Sequence, residues 1–195
     1  MLAVACHIHG CANCREETAL WESLGGALLN SLSPTPLRDD ALVRIFQRLD
    51  SAGAARAAPR ERRVPAFLRR FDLPTPLLKQ RIGMRRWVTP DIWFAPIEVQ
   101  PRSAARTYLV HAKRNTTLLK HTHVGREFTS VLFGSYTDAT GTYDPGDFCE
   151  ADETVVHAPA VSGESGCLCL GSADAPMRLL ALPARLVQTL TGKLY

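Results

Sequence analysis

The segment His121-Thr-His123-Val-Gly-Arg-Glu127, with Gly134 seven residues after Glu127 and His157 thirty residues after it, constrains this chain more than any other stretch. Side chains alternate faces along an extended strand, so histidines at i and i+2 point the same way. A third imidazole, His157, and the Glu127 carboxylate, arriving from neighbouring strands, would complete a four-ligand metal site. Neutral imidazole and carboxylate suit Zn, Fe, Ni or Mn. A lone His-x-His is more often an ordinary polar strand edge, but here its surroundings add weight. Glu127-Phe-Thr-Ser-Val-Leu-Phe-Gly134 reads as an alternating strand closed by a glycine turn, and Tyr143-Asp144-Pro145-Gly146-Asp147 is a turn signal.

From about Trp87 onward the texture is that of short strands. The pattern predicts strands near 92–99, 105–113, 116–121, 127–134, 148–151, 154–157, 166–171 and 177–182, each bounded by Pro, Gly, Asp or Asn. That spacing favours a closed or double-sheet β-structure. A jelly-roll barrel would hold His121, His123, Glu127 and His157 in its mouth on rigid strands.

The same residues resemble the two cupin motifs. His121, His123, Glu127 and Gly134 match the first at its spacing, and Gly146 and His157 match the second. The four ligand positions are kept while turn positions drift. Asn115 stands where the first motif opens on glycine, and Asp152, Thr154 and Val161 replace the proline, glycine and asparagine of the second.

The first fifty residues read as helical. Ala19, Leu20, Leu24, Ala27, Leu28 and Leu32 recur near helical spacing, weakened by Gly25-Gly26 and ended by Ser33-Pro34-Thr35-Pro36. Asp39 or Asp40 would start a second helix with the apolar stripe Leu42, Ile45, Phe46 and Leu49, which faces either a domain core or a partner. The run from Ser51 to Arg63 reads as a linker. The expected organisation is a helical segment over 1–52, a basic Ala/Arg/Pro linker over 53–73, and a β domain over 74–195.

His7-Ile-His-Gly-Cys11-Ala-Asn-Cys14 offers a histidine and two cysteines at spacings that suit tetrahedral zinc. The chain has six cysteines and starts without the basic and apolar regions of a secretion signal, so metal or redox chemistry is expected rather than a disulfide framework. No apolar run approaches the ~20 residues needed to span a bilayer, and a cytoplasmic location is the expectation. The net charge is +4, with much of the basic excess between Arg56 and Arg86. Aromatic residues are not interleaved there as base-stacking platforms, so a solvated linker is expected rather than a nucleic-acid surface.

His-x3-Cys-x2-Cys before a short helical segment, followed by a cupin pattern, is similar to the ChrR-type anti-sigma factors. Cys167-Leu-Cys169 and Ser172-Ala-Asp174-Ala-Pro176 also fit that family. The fold this implies is mainly β: a short N-terminal α-helical zinc-binding segment followed by a C-terminal cupin, the double-stranded β-helix or jelly roll. The function implied is sequestration of an extracytoplasmic-function sigma factor, with release on oxidative stress sensed through the cupin. Zinc is the cofactor implied for His121, His123, Glu127 and His157, with Fe or Mn as alternatives, and a second zinc for His7, Cys11 and Cys14.

The family's anti-sigma zinc takes a fourth ligand from a histidine on a preceding helix, whereas six residues precede His7 here, and no helix is expected in them. Either the natural start lies further upstream, or His9, Cys6 or a water fills that position, or the site has decayed. Cys167 and Cys169 share one face of their strand; they are redox candidates if they point into the barrel and packing residues if they do not, and Cys149 reads as packing. A three-His, one-Glu metal also serves cupin dioxygenases and isomerases, for which Tyr108, Tyr136 and Arg126 would be candidate acids or bases. A stand-alone metal-binding cupin is the third reading.

Overall fold

The computed structural model describes residues 2–53, 64–99 and 105–180. The chain divides into two compact units, Asn13–Arg63 and a larger one made of Met1–Ala12 with Val64–Tyr195.

The smaller unit contains most of α2 (Ala12–Ser31) and α3 (Ala41–Gly53). The α2 helix runs through Gly25-Gly26 without a break. Each glycine costs about 1 kcal/mol relative to alanine, and the Ala-, Leu- and Glu-rich flanks carry the helix across. It stops at Ser31, ahead of Pro34 and Pro36. The start of α3 is tied down by Asp40, whose carbonyl accepts from the Arg44 amide at 3.0 Å while its carboxylate takes the Arg38 guanidinium at 3.1 Å. Of the linker expected over 53–73, residues 54–63 lie outside the described residues, whereas Leu68, Phe71 and Leu73 are buried in the larger unit.

The larger unit opens with α1 (Leu2–Gly10), a helix the sequence reading did not foresee. Leu2, Ala3 and Cys6 recur on one face of it and are buried. They join a core with Leu68, Phe71, Leu73 and Leu77, from a 3-10 turn (Ala66–Leu68) and α4 (Thr75–Leu78) with their flanks, and with Trp93, Ala95, Ile97, Leu109, Leu168 and Leu170 of a sheet.

That sheet has seven antiparallel strands: β1 (Arg81–Ile82), β2 (Arg86–Thr89), β3 (Ile92–Glu98), β4 (Arg106–Ala112), β6 (Glu127–Phe133), β9 (Phe148–Ala151) and β11 (Cys167–Ala173). Its order is β1-β3-β4-β11-β6-β9, with β2 also on β3. Two small sheets complete a β-sandwich: β10 (Ala160–Val161) with β7 (Tyr136–Asp138) and β8 (Gly141–Tyr143), and β12 (Met177–Leu179) with β5 (His121–His123). Between the layers lies a second core that includes Ile92, Phe94, Tyr108, Ala112, Val131, Tyr136, Val161, Cys167 and Cys169.

The large sheet is therefore covered on both faces, and every residue of β11 is buried. Alternation assigns its Leu168 and Leu170 to the helix-covered face and its Cys167 and Cys169 to the interior. Full burial of one such leucine is worth about 1.5–3 kcal/mol.

Most of the expected strands are present, and two are not. Residues 116–120 and 154–157 run antiparallel through isolated pairings, Thr117 with Ala160 and His121 with His157, rather than as continuous strands. An Asx turn interrupts the second segment: the Asp152 carboxylate accepts from both the Thr154 amide (2.9 Å) and the Thr154 hydroxyl (2.6 Å). This turn stands where the cupin pattern has proline and glycine. Asn115, in place of the motif's leading glycine, has φ +57°, a conformation that asparagine tolerates better than most residues. Gly134 has φ +66°, and a Cβ there would run into the Gly166 carbonyl, so this glycine is required twice over. The tail of the last expected strand, residues 181–182, lies outside the described residues.

Candidate metal centre

Three of the predicted ligands converge. His121 and His123 lie on β5, and His157 is brought beside them by a reciprocal pair of backbone hydrogen bonds with His121, at 3.0 and 3.1 Å. All three are buried, and their available ring nitrogens lie within 4.8 Å of one another. Each ring is held from behind at Nδ1. His121 Nδ1 donates to the Leu119 carbonyl (2.7 Å), His123 Nδ1 to the Glu127 carboxylate (3.1 Å), and His157 Nδ1 to the Asp138 carboxylate (2.8 Å). Carbonyls and carboxylates only accept, so each imidazole carries a proton on Nδ1 and turns its Nε2 toward the other rings.

The consequence is electrostatic. His123 Nε2 and His157 Nε2 face each other at 3.1 Å. Burial pushes both His121 and His123 down to about 4, so these two rings are neutral at neutral pH and offer lone pairs at Nε2. A cation is what such a donor set fits. Two Zn–N bonds of about 2.0–2.1 Å at a tetrahedral angle would set nitrogens roughly 3.3 Å apart. Carboxylate and carbonyl acceptors behind ligating imidazoles are the usual outer support of such a centre.

Glu127, the fourth predicted ligand, is adjacent but lies outside the converging set. One carboxylate oxygen holds His123, and the other accepts a very short hydrogen bond from the Tyr108 hydroxyl. Burial, and then the negative charge of Glu127, keep Tyr108 well above the usual tyrosine range and therefore protonated. Asp138 was not foreseen. It sits on a hairpin, β7–β8, that the sequence reading also missed, although Tyr136-Thr-Asp138-Ala-Thr-Gly141-Thr-Tyr143 alternates polar and aromatic residues around a turn. Burial raises the Asp138 carboxyl, but the Thr140 hydroxyl and amide and His157 outweigh it and hold the group below the ordinary carboxylate value.

An apolar cavity of about 70 Å³ adjoins the histidines, lined in part by Tyr108, Glu127, Tyr136, Cys167 and Cys169. The two thiols lie 3.5 Å apart and are buried. Their contact, and then burial, keep Cys169 protonated well above the usual thiol range. Cys149 is half-buried, with its sulfur 3.2 Å from the Tyr136 hydroxyl. Arg126 is on the surface, 3.8 Å from Glu150.

Of the N-terminal trio, His7 and Cys11 belong to the larger unit and stand at a helical spacing of four, and Cys14 lies at the start of the smaller unit three residues later. His7 Nδ1 donates to the Gly146 carbonyl at 2.7 Å, leaving Nε2 as its ligand atom. Cys6 and His9 are not in this group. Cys6 is buried in the core, its thiol pushed up to about 12 by burial.

Residues 82–175 match the family model described as the ChrR cupin-like domain. The chain is 29% identical over 192 residues to the anti-sigma-E factor ChrR of Cereibacter sphaeroides, covering 96% of this chain and 86% of that protein. It also matches a chain of the crystal structure of Rhodobacter sphaeroides SigE in complex with the anti-sigma ChrR, with a TM-score of 0.64 and 25% identity, over 89% of this chain and 87% of that one.

Nearly the whole chain is thus similar to a ChrR-type anti-sigma factor. The family-model match covers the cupin-like β-sandwich with its three imidazoles, while the likeness to ChrR also takes in the N-terminal helices. No helix among the described residues is long and apolar enough to cross a membrane. Asp174, on a segment of this chain with no assigned role in the sequence, accepts from the Arg126 amide at 2.7 Å. It thereby fastens the turn between the second histidine and Glu127 to the end of β11.

Proposed function

We propose that this chain sequesters an extracytoplasmic-function sigma factor through its helical unit, and that the cupin half is a metal-bearing receiver of an oxidative signal that releases it. The observation that carries this reading is the uncovered apolar surface of the helices. Leu20, Trp21, Leu24, Leu28 and Leu29 of α2, with Leu42, Ile45, Phe46 and Leu49 of α3, are each between 49% and 68% exposed. Apolar side chains grouped in this way mark a protein-binding surface. The likeness over nearly the whole chain to the anti-sigma-E factor ChrR, and to a chain solved together with SigE, supplies the kind of partner.

In the cupin, His121, His123 and His157 would hold the ion through Nε2, with the Glu127 carboxylate beside them. Zinc suits three neutral imidazoles, with Fe or Mn as alternatives. The ion would supply a fixed positive charge that clamps β5 to the His157 segment. Tyr108 and Asp138 orient the set, and Cys167 and Cys169 face the same cavity as redox candidates. His7, Cys11 and Cys14 would hold a second zinc. A cytoplasmic site of action, without direct contact to nucleic acid, accords with such a partner. The cavity of about 70 Å³ supports a receiver over a dioxygenase or isomerase, since sites for drug-sized ligands usually measure ~300–1,000 Å³.

The test is co-expression of the full chain with each extracytoplasmic-function sigma factor of its own genome, followed by purification. One of them is expected to co-purify, and Ile45→Asp/Phe46→Asp should abolish this without changing the metal content of the cupin. Failure of every sigma factor to co-purify would remove the regulator reading.

A further inference from the structure

We propose that a recess on the larger unit, bounded by Arg70, Arg85, Trp87, Lys113 and Arg114, is a binding site for a small aromatic carboxylate. The recess measures about 490 Å³, within the range of small-molecule sites. It shares no lining residue with the histidine cavity.

Two of its cations, Arg70 and Arg85, come from the basic stretch that the sequence reading assigned to solvent. The 3-10 turn and the entry to β2 instead fold that stretch against β3 and β4. Arg114 stands beside Asn115, whose left-handed backbone turns the chain at the rim.

The charges are unbalanced. Lys113 is paired with Asp91 at 3.0 Å, but among the described residues no carboxylate pairs with Arg70, Arg85 or Arg114. Glu164 is the one acidic residue lining the recess. The Arg85 guanidinium rests over the Trp87 and Phe67 rings, at 5.3 and 5.5 Å, so it is positioned by aromatic faces while its donors stay available.

The lining also holds a buried imidazole. His111, only 4% exposed, lies flat against Trp93 with ring centroids 5.2 Å apart. Its Nε2 accepts from the Arg70 guanidinium at 3.1 Å, which places its proton on Nδ1. That buried nitrogen has no partner. Guanidinium forks match a carboxylate in a bidentate way, and the indole of Trp87, half exposed, offers a wall for a flat ring. A bare phosphate would leave the aromatic walls unused.

The experiment is calorimetric titration of the full chain with 1-naphthoate, alongside the uncharged 1-naphthamide and a hexaglutamate peptide. Saturable binding of naphthoate is expected, with no binding of the amide. Affinity should fall roughly tenfold or more in Arg85→Gln/Arg114→Gln, where two charge-assisted contacts are lost from exposed side chains. It should rise in Glu164→Gln, where the competing carboxylate is removed; a variant that merely loosened the fold would not produce that gain. The proposal is overturned by absence of saturable naphthoate binding to the wild type, by equal affinity for the amide, or by unchanged affinity in the arginine variant. Tighter binding of hexaglutamate than of naphthoate would also overturn it and assign the recess to an acidic protein segment.

Discussion

Each of the three converging imidazoles is backed by a different acceptor: a backbone carbonyl for His121, the Glu127 carboxylate for His123 and the Asp138 carboxylate for His157. Motif spacing indicates which residues could be ligands but not which partner fixes each tautomer. Asp138 is the acceptor whose side chain can be changed with least disturbance, because it enters from a separate hairpin and its turn bonds to Thr140 survive in an amide. Asp138→Asn is expected to lower metal affinity roughly ten- to hundredfold, read by competition with a chromogenic chelator, while the far-UV spectrum stays that of the wild type. Retention of full affinity would leave His157 positioned by its backbone pairing alone.

At the level of elements, α1 and β11 do the most joining. Along β11 the leucines meet α1 and α4 while the cysteines one residue away face the histidine cavity. The α1 helix enters that core through Leu2, Ala3 and Cys6, and its His7 reaches the turn after β8. Ala3 has no exposed surface. Ala3→Asp would therefore bury a carboxylate among Leu, Phe and Trp side chains, at a cost of several kcal/mol unless the helix detaches. The expected outcome is a large fall in the melting temperature of the β-sandwich, followed by near-UV circular dichroism. An unchanged transition would mean that α1 contributes little to that core.

For the molecule as a whole, the two clusters of ligands are made from unrelated parts of the chain, one from eight consecutive residues and one from strands. They should load independently. Elemental analysis is expected to give two ions per chain, with one lost in His121→Ala/His123→Ala and the other in Cys11→Ser/Cys14→Ser. Removal of the first ion should lower the stability of the β-sandwich more than removal of the second. A single ion, lost only with the histidine pair, would show that three N-terminal ligands do not suffice.

The sequence by itself determined the mainly β architecture after Trp87, the α2 and α3 helices, and the three histidines, because strand alternation, helical periodicity and ligand spacing are local properties of a chain. The His/Cys trio was legible as a candidate for the same reason, since it falls within eight consecutive residues. What lies across space was not. Asp138 became a partner of His157 only when the hairpin folded over, and Glu127 was drawn to Tyr108 and His123 by burial, which spacing does not encode. Cys-Leu-Cys-Leu alternates equally well with either face inward, and α1 is too short to announce itself. Only the packing of helices on one side of the sheet and strands on the other decided that the leucines meet the helices and the thiols line the histidine cavity.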